Sequence, residues 1–307
     1  MSKKKYKPAL DFVVPLNINH LQGRMLNAPA ISARKREILL VYGHHSSIER
    51  MVGFVEELRR YGNVTLPDLP GFGGMKSFYT IGTKPTLDNL ADYLAAFVKL
   101  KYRRKRVTIL GMSFGFLIVT KMLQKYPELT KKVDTLVSVV GFVHKDDFLL
   151  PKKQHIPLRI MSSVVSRRTP AWLVSTFLLR APVIRAIYGF SGETNPKLKG
   201  ADEAQKKDRV NFEITLWKQN DIRTYMDTMI SMFKANLCDK HVELPVYHVS
   251  VEHDRYFDNH RVEQHLGIIF EAVYIIPVKE LLHAPTVVAT AKEASAFIPA
   301  KLRRLLS

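Results

Sequence analysis

Residues 107–115 read Val-Thr-Ile-Leu-Gly-Met-Ser-Phe-Gly, and a second apolar segment follows them. The β-branched run before Gly111 predicts a buried strand, and the segment after Ser113 predicts a helix that ends before Pro127. A sharp turn between a strand and a helix strains the backbone of its central residue, which then needs small neighbours two positions away on each side. Gly111 and Gly115 are such neighbours. The pattern predicts that Ser113 is a nucleophile over the positive end of the helix, with a purely structural turn as the alternative.

Four further segments surround this turn in a fixed order. They are a predicted strand and turn at residues 37–45, the loop Asp-Leu-Pro-Gly-Phe-Gly at residues 68–73, a strand and turn at residues 245–254, and His-Ala-Pro at residues 283–285. Together with the Gly-x-Ser-x-Gly turn, these segments resemble the α/β-hydrolase superfamily from about Asp11 to the C-terminus. The resemblance implies an α/β-hydrolase fold, which is a doubly wound, mostly parallel sheet.

Two positions depart from the pattern of that superfamily. A second glycine often follows the nucleophile turn directly, where this chain has Phe116, and a histidine usually precedes Gly43, where this chain has Tyr42. Both departures are compatible with the fold and leave the subclass of substrate open.

The resemblance implies a nucleophile, an acid and a base in the chain order Ser113, Asp254 and His283. A serine hydroxyl is a poor nucleophile at neutral pH, so a neighbouring base must take its proton. Histidine titrates near the operating pH, and a carboxylate fixes its tautomer and stabilises the imidazolium. His283 is the only histidine after the last predicted strand. Asp258 is an alternative acid, or an N-cap of the next helix. Three other acids stay open: Glu252, Asp134 and Asp146.

Acyl transfer also needs N–H donors for the negative charge that develops on the substrate oxygen. The resemblance implies the backbone N–H groups of His44 and Phe114. The imidazoles of His44 and His45 could line the pocket, although His45 could equally lie in solvent. The candidates for the substrate pocket are His45, Met112, Trp172 and Phe177.

The predicted alternation of strands and helices changes near residue 145. From there to residue 237 the sequence has helical stretches and no convincing strand. We therefore expect a helical cap at residues 145–237, inserted into an α/β-hydrolase core of residues 1–144 and 238–307.

Local signals place several elements within that core. Residues 11–16 and 21–26 predict an antiparallel pair of strands, and Ser46 or Ser47 is a candidate cap for the helix that follows. A closing helix is expected at residues 285–305, with a break near Pro299.

The segment from Pro170 to Phe190 is notably apolar and contains several arginines. It allows three interpretations. It could pack the cap against the core, line a pocket for an acyl or aromatic substrate, or meet lipid with its arginines on phosphate.

Composition favours a globular protein with an excess of positive charge. The 307 residues are 46% hydrophobic, and 47 Lys and Arg against 28 Asp and Glu give a formal net charge of +19. That excess suggests weak association with an anionic membrane surface, whereas nucleic acid is not the expected partner. A single cysteine, Cys238, and the lack of a signal-like or membrane-spanning apolar run favour a soluble cytoplasmic protein.

No metal or cofactor is expected. His-Glu-x-x-His is absent, as are the Gly-x-Gly-x-x-Gly and phosphate-loop patterns. The resemblance, with Ser rather than Asp at residue 113, implies a carboxylesterase-type serine hydrolase that cleaves small-to-medium hydrophobic acyl esters. A C–C bond hydrolase, a lactonase, a monoacylglycerol lipase and a catalytically silent ligand-binding protein remain alternatives, and the oligomeric state stays open.

Overall fold

The structure, a computed structural model, describes residues 6–33, 36–191, 198, 202–279, 283 and 290–307. The part of the predicted closing helix from residue 285 to residue 289 lies outside the described residues.

One sheet of eight strands runs through the described part of the chain. In chain order the strands are β1 (Val13–Ile18), β2 (Leu21–Ala28), β3 (Arg36–Val41), β4 (Gly62–Pro67), β5 (Val107–Met112), β6 (Val133–Val139), β7 (Val242–Val251) and β8 (Phe270–Val278).

The strands lie in the order β1-β2-β4-β3-β5-β6-β7-β8. β1 pairs with β2 and β2 with β4 in antiparallel fashion, and every other pair is parallel. The predicted antiparallel pair is confirmed, and its turn consists of Asn19 and His20, both with positive φ. Such a turn matches the right-handed twist of the strands that it joins. The predicted doubly wound, mostly parallel sheet of the α/β-hydrolase fold is confirmed.

Helices connect the parallel strands, as right-handed crossovers require. In the described residues they are α1 (Val52–Leu58), α2 (Leu87–Lys101), α3 (Phe114–Lys125), α4 (Lys152–Val165), α5 (Arg168–Leu173), α6 (Ala181–Ser191), α7 (Glu203–Gln219), α8 (Ile222–Met232), α9 (Asn259–Ile269), α10 (Ala291–Ala296) and α11 (Ala300–Leu306). The predicted break near Pro299 separates α10 from α11, because Pro299 is the N-cap residue of α11.

The core is built on the central strands. All six residues of β5 are buried, as are the last four of β3. This continuous burial is typical of parallel strands that are covered on both faces. Because these strands are parallel, the carboxyl ends of β3, β5, β7 and β8 lie at one edge of the sheet, where the loops that follow them meet.

Five helices, α4 to α8, lie between β6 and β7, and the described part of this region contains no strand. A short π-helical turn, Val174–Leu178, continues α5. We refer to residues 145–237 as the helical segment. Its treatment as a separate cap stays a prediction.

The start of α1 differs from the expected cap by Ser46 or Ser47. A 3-10 turn at Glu49–Met51 precedes α1, and neither turn nor helix has a side-chain cap. The N–H of Ile48 instead donates to Oδ1 of Asp68, 3.1 Å away. A carboxylate from a distant loop therefore takes the acceptor role that a local serine usually has.

Candidate active site

The turn between β5 and α3 has the strained geometry that its glycines predict. Ser113 has φ 49° and ψ −120° and precedes the first residue of α3. A Cβ atom at Gly115 would lie 2.3 Å from the carbonyl oxygen of Val41, and one at Gly111 would lie 2.6 Å from Cα of Phe116. Both distances are shorter than any tolerable contact. The neighbouring backbone therefore excludes a side chain at either position, and the turn can form only with glycines there.

Three predicted site residues are joined by hydrogen bonds. Nε2 of His283 lies 3.2 Å from Oγ of Ser113, and Nδ1 of His283 lies 2.6 Å from Oδ2 of Asp254. The side chains of His283 and Asp254 are largely buried. Since an ionised carboxylate can only accept, Nδ1–H donates to Asp254 and Nε2 is left to accept from the serine hydroxyl. The serine, histidine and aspartate come from the loops after β5, β8 and β7.

The loop after β7 separates the roles of its two candidate acids. Oδ1 of Asp254 accepts from the N–H groups of Tyr256 and Phe257, which fixes the carboxylate while Oδ2 faces His283. Asp258 accepts from the N–H of Arg261 as the N-cap of α9. Among the two, the structure therefore brings only Asp254 to the histidine.

Aromatic rings flank the imidazole of His283. The rings of Tyr256 and Phe257 meet it edge-on, each with centroids 5.1 Å apart. Such walls limit the water around the imidazole and restrict the rotation of its ring.

His44 follows β3 and is held by the helical segment. Its Nε2 lies 3.1 Å from the carbonyl oxygen of Tyr225 and 2.9 Å from Oγ1 of Thr228, both on α8. A carbonyl oxygen only accepts, so Nε2 of His44 carries the proton. Desolvation, together with the nearby His45, lowers the pKa of His44 to about 3, which keeps this imidazole neutral.

His45 is buried and contacts α7 rather than solvent. Its Nε2 lies 3.3 Å from Oε2 of the buried Glu213, and its Nδ1 lies 3.1 Å from Nδ2 of Asn220. Because Oδ1 of Asn220 accepts from the N–H of Gly73, its amide NH₂ group faces His45 and donates to Nδ1. The imidazole also packs on Trp217, with centroids 4.2 Å apart. His45 thus ties the loop after β3 to the helical segment.

Asp68 fixes the loop beside the site. Its buried carboxylate accepts from Nε of Arg24 at 2.7 Å, the hydroxyl of Tyr42 at 3.0 Å and the N–H of Gly74 at 2.7 Å. The Tyr42 hydroxyl in turn accepts from the N–H of Leu69 at 2.7 Å. Tyr42, which departs from the superfamily pattern, therefore joins the end of β3 to this loop.

The remaining predicted site residues lie in different surroundings. The backbone N–H groups of His44 and Phe114 have no hydrogen-bond partner within the described part of the chain. Met112 is buried at the end of β5. Trp172 and Phe177 contact each other edge-on, and their side chains are 58% and 54% exposed. The structure does not bring these two rings into contact with Ser113 or His283.

Sequence reasoning missed the residues of the helical segment that hold the histidine pair. Glu213, Asn220 and Thr228 are more than 140 residues from the loop that they contact. Each lies on or beside an ordinary-looking helix, and no local pattern marks it. Glu213 on α7 differs from the other two in being a buried acidic residue, but burial is not visible in a single sequence.

The described residues contain no group of three or more His, Cys, Asp or Glu side chains placed to hold a metal ion. The chemistry that the arrangement can perform is a proton transfer. The histidine can take the proton of the Ser113 hydroxyl as its oxygen attacks an electrophile, and Asp254 can stabilise the imidazolium that forms.

A sequence profile of the family described as serine aminopeptidase, S33, matches residues 32–270 of this chain. A search of curated proteins finds no match.

Solved structures of several hydrolases are similar to this fold. The enol-lactonase from Burkholderia xenovorans has a TM-score of 0.66 at 13% identity, over 96% of this chain and 100% of that chain. A thermophilic esterase from Thermogutta terrifontis has a TM-score of 0.59 at 16% identity, over 93% and 95%. The N-formylmaleamic acid deformylase from Pseudomonas putida has a TM-score of 0.59 at 17% identity, over 88% and 94%. At these identities the likeness is one of fold alone.

Proposed function

Because this chain belongs to the serine aminopeptidase family S33 of the α/β-hydrolase superfamily, we propose that it is a cofactor-independent serine hydrolase of carboxylesterase type. The observation that carries the proposal is the hydrogen-bonded sequence Ser113–His283–Asp254, with the serine on a strained turn. The proposed substrates are small-to-medium hydrophobic acyl esters.

In the proposed reaction, Oγ of Ser113 attacks the ester carbonyl while its proton passes to Nε2 of His283. The negative charge on the carbonyl oxygen is held by the backbone N–H groups of His44 and Phe114, and the absence of a partner for either group among the described residues supports this role. The imidazolium, stabilised by Asp254, then returns the proton to the leaving alcohol. A water molecule attacks the acyl-enzyme by the same route and releases the acid.

An ester is favoured over a peptide by the surroundings of the site. An aminopeptidase must hold the positive charge of a peptide N-terminus, which requires a free carboxylate or a similar acceptor. Two carboxylates lie at or beside the site in the described residues, and both already face an imidazole: Asp254 accepts from His283, and Oε2 of Glu213 lies 3.3 Å from Nε2 of His45. The other neighbours of His283 are the rings of Tyr256 and Phe257.

Three further parts of the proposal rest on composition and on the contacts of the helical segment. The formal charge of +19 supports weak association with an anionic membrane surface. The single cysteine, Cys238, is consistent with a reducing compartment such as the cytoplasm. The helical segment is proposed as a cap over the site because α7 and α8 contact His44 and His45.

The test is hydrolysis of p-nitrophenyl esters from acetate to palmitate by the wild type and by Ser113→Ala. We expect turnover that falls at least ~1,000-fold in the variant, because the attacking oxygen is lost. An alanine p-nitroanilide serves as the peptidase control and should not be cleaved at a comparable rate.

Labelling of Ser113 by a fluorophosphonate separates the alternatives. Labelling without turnover of any ester would redirect the proposal to C–C bonds, lactones or monoacylglycerols. Absence of both labelling and turnover would contradict the proposed enzyme and favour a silent ligand-binding protein.

A further inference from the structure

The outer faces of α4, α5 and α6 carry large apolar side chains that the protein leaves in water. On α4 these are Ile156, Ile160 and Val164, spaced four residues apart along one side of the helix. The opposite side of α4 packs on α8, with the buried Ser162 donating to Sδ of Met229. The apolar stripe of α4 is therefore not part of the core.

The same exposure continues along the next two helical pieces. Trp172 and Phe177 lie on α5 and its π-helical extension, and Ile187 and Phe190 lie on α6. Phe190 is 94% exposed. Of the three interpretations of this stretch, packing against the core is therefore wrong for these side chains. Large apolar side chains exposed in this number along one run of helices indicate an interaction site.

The charge of this region is entirely positive. Residues 148–191 contain two lysines and five arginines and no aspartate or glutamate. Arg167, Arg168 and Arg180 are exposed, and none of them forms an ion pair with another described residue. Arg167 and Arg168 stand at the start of α5, and the guanidinium of Arg180 lies over the ring of Phe177. Apolar residues bordered by arginine match the boundary between acyl chains and phosphate headgroups.

The geometry of α5 and α6 fits a helix pair that lies in a membrane interface. No single described helix has both the length and the apolar character needed to cross a membrane, but Arg168–Leu178 and Ala181–Phe190 do when taken together, with a 72° bend between them.

We propose that the outer face of α4–α6 docks on anionic phospholipid bilayers by inserting Trp172, Phe177 and Phe190 among the lipids, with Arg167 and Arg168 on phosphate. This face is the surface through which the membrane association proposed under the function takes place. Its binding to lipid does not depend on ester hydrolysis. A second copy of this chain is a poorer occupant, because a contact between two such faces would bring together two sets of positive charges with no aspartate or glutamate of residues 148–191 to pair with them.

The helical segment also connects this face to the site. α4 packs on α8, and α8 holds the imidazole of His44 through Tyr225 and Thr228. A protein docked by this face therefore has its helical segment between the bilayer and the candidate active site.

The test is sedimentation of the full-length chain, as Ser113→Ala, with vesicles of phosphatidylcholine alone or mixed with phosphatidylglycerol. Use of the inactive variant makes binding independent of turnover. We expect binding to the anionic vesicles that exceeds binding to the neutral ones. Trp172→Ser/Phe177→Ser should lower the partition coefficient at least ~10-fold, and Arg167→Gln/Arg168→Gln about 10- to 30-fold.

Matched controls remove exposed apolar or arginine side chains elsewhere on the surface. Ile268→Ser/Tyr274→Ser takes away two exposed apolar residues of α9 and β8, and Arg103→Gln/Arg104→Gln takes away two exposed arginines between α2 and β5. Each control should change the partition coefficient by less than about threefold. Equal losses in tests and controls would show adsorption by total charge and overturn the proposal.

The fluorescence of Trp172 also measures whether this side chain enters the bilayer. Phospholipids brominated on their acyl chains should quench tryptophan fluorescence of the wild type on binding. Trp172→Phe should bind as the wild type does and lose most of that quenching, because Trp217 packs on His45 inside the protein. Failure of the wild type to bind anionic vesicles would overturn the proposal, as would a dimer in solution that Trp172→Ser/Phe177→Ser dissociates.

Discussion

Asp254 uses its two carboxylate oxygens for different partners. Oδ1 accepts from two backbone N–H groups of its own loop, and Oδ2 accepts from Nδ1 of His283. The loop therefore fixes the orientation of the carboxylate independently of its hydrogen bond to the histidine. An amide in its place could present NH₂ to the imidazole, which would favour the wrong tautomer.

Asp254→Asn should accordingly lower kcat for p-nitrophenyl esters by about 1,000- to 10,000-fold with little change in KM, because proton transfer is lost and binding is not. Asp258→Asn is the matched control, since Asp258 caps α9 and asparagine is an equally good N-cap. It should change kcat by less than about threefold. The assignment of the acid would be wrong if the two variants lost activity equally.

At this scale, the sequence predicts the three residues that hydrogen-bond to one another, but it does not predict the surroundings of the histidine pair. Ser113 is marked by its glycines, and His283 by its place after the last strand. His45, by contrast, was a candidate for the pocket or for solvent, and it lies buried between Glu213 and Asn220. Its partners come from a helix far along the chain, so no spacing rule connects them.

Between elements, a polar cluster around Asp68 joins β2, β3 and the start of α1. Arg24 on β2 donates to Asp68 and also forms two hydrogen bonds with Glu49. Asp68 is completely buried, and desolvation raises its pKa despite the nearby guanidinium. Removal of the arginine would leave this charge buried without its counter-ion.

We expect Arg24→Leu to lower the free energy of unfolding by about 3–5 kcal/mol, measured by urea denaturation. Lys121→Met, which breaks the partly exposed pair of Lys121 with Asp88, should change it by less than about 1 kcal/mol.

A second substitution identifies the cause of the loss in Arg24→Leu. Asp68→Asn in the same chain should restore part of the stability, since it removes the uncompensated charge. No recovery would mean that lost packing, rather than charge, is responsible.

The same cluster explains why one prediction at this scale failed. Ser46 and Ser47 have side chains that often cap helices, and the local sequence is typical of a helix N-terminus. The carboxylate of Asp68 reaches the N–H of Ile48 from the loop after β4, and a charged acceptor is the stronger partner. At the beginning of α2 a local side chain does act as the cap, since Oγ1 of Thr86 accepts from the N–H of Asn89.

Across the whole molecule, the stability should depend on pH through buried histidines, with His248 contributing in addition to His44. His248 on β7 is almost fully buried, with Nδ1 2.8 Å from Oγ of Ser138, and desolvation lowers its pKa from 6.5 to about 4. The unfolded chain therefore binds a proton near pH 6.5 that the folded chain binds only near pH 4. The free energy of unfolding is highest above pH 6.5 and falls between pH 6.5 and about 4. Asp68, with its raised pKa, acts in the opposite direction.

His248→Gln should reduce this dependence, because glutamine can bond to Ser138 and does not titrate, whereas His44 keeps its own contribution. The measurement is the free energy of unfolding in urea between pH ~7.5 and ~4.5. His253→Gln is the control, since His253 is exposed and its loss should leave the wild-type slope. A His248→Gln curve parallel to that of the wild type over the whole range would contradict the assignment.

The sheet could be predicted at this scale and the outer face of α4–α6 could not. Buried parallel strands are continuous apolar runs, so β3, β5 and β6 are visible in the sequence. An apolar helix, however, has the same composition whether it faces a core or water. The sequence around Trp172 and Phe177 is therefore compatible with a pocket as well as with a surface, and their exposure depends on which elements each helix packs against.

The separation of Ser113 and His283 along the chain has a consequence for newly made protein. The two residues are 170 positions apart. A ribosome adding ~5–20 residues per second makes His283 roughly 10 to 30 s after Ser113. Throughout that interval the serine is an ordinary alcohol, because the imidazole that would take its proton does not yet exist. On the proposed mechanism, synthesis itself delays reactivity until β8 has been made and has paired with β7, so a nascent chain cannot attack acyl esters around it.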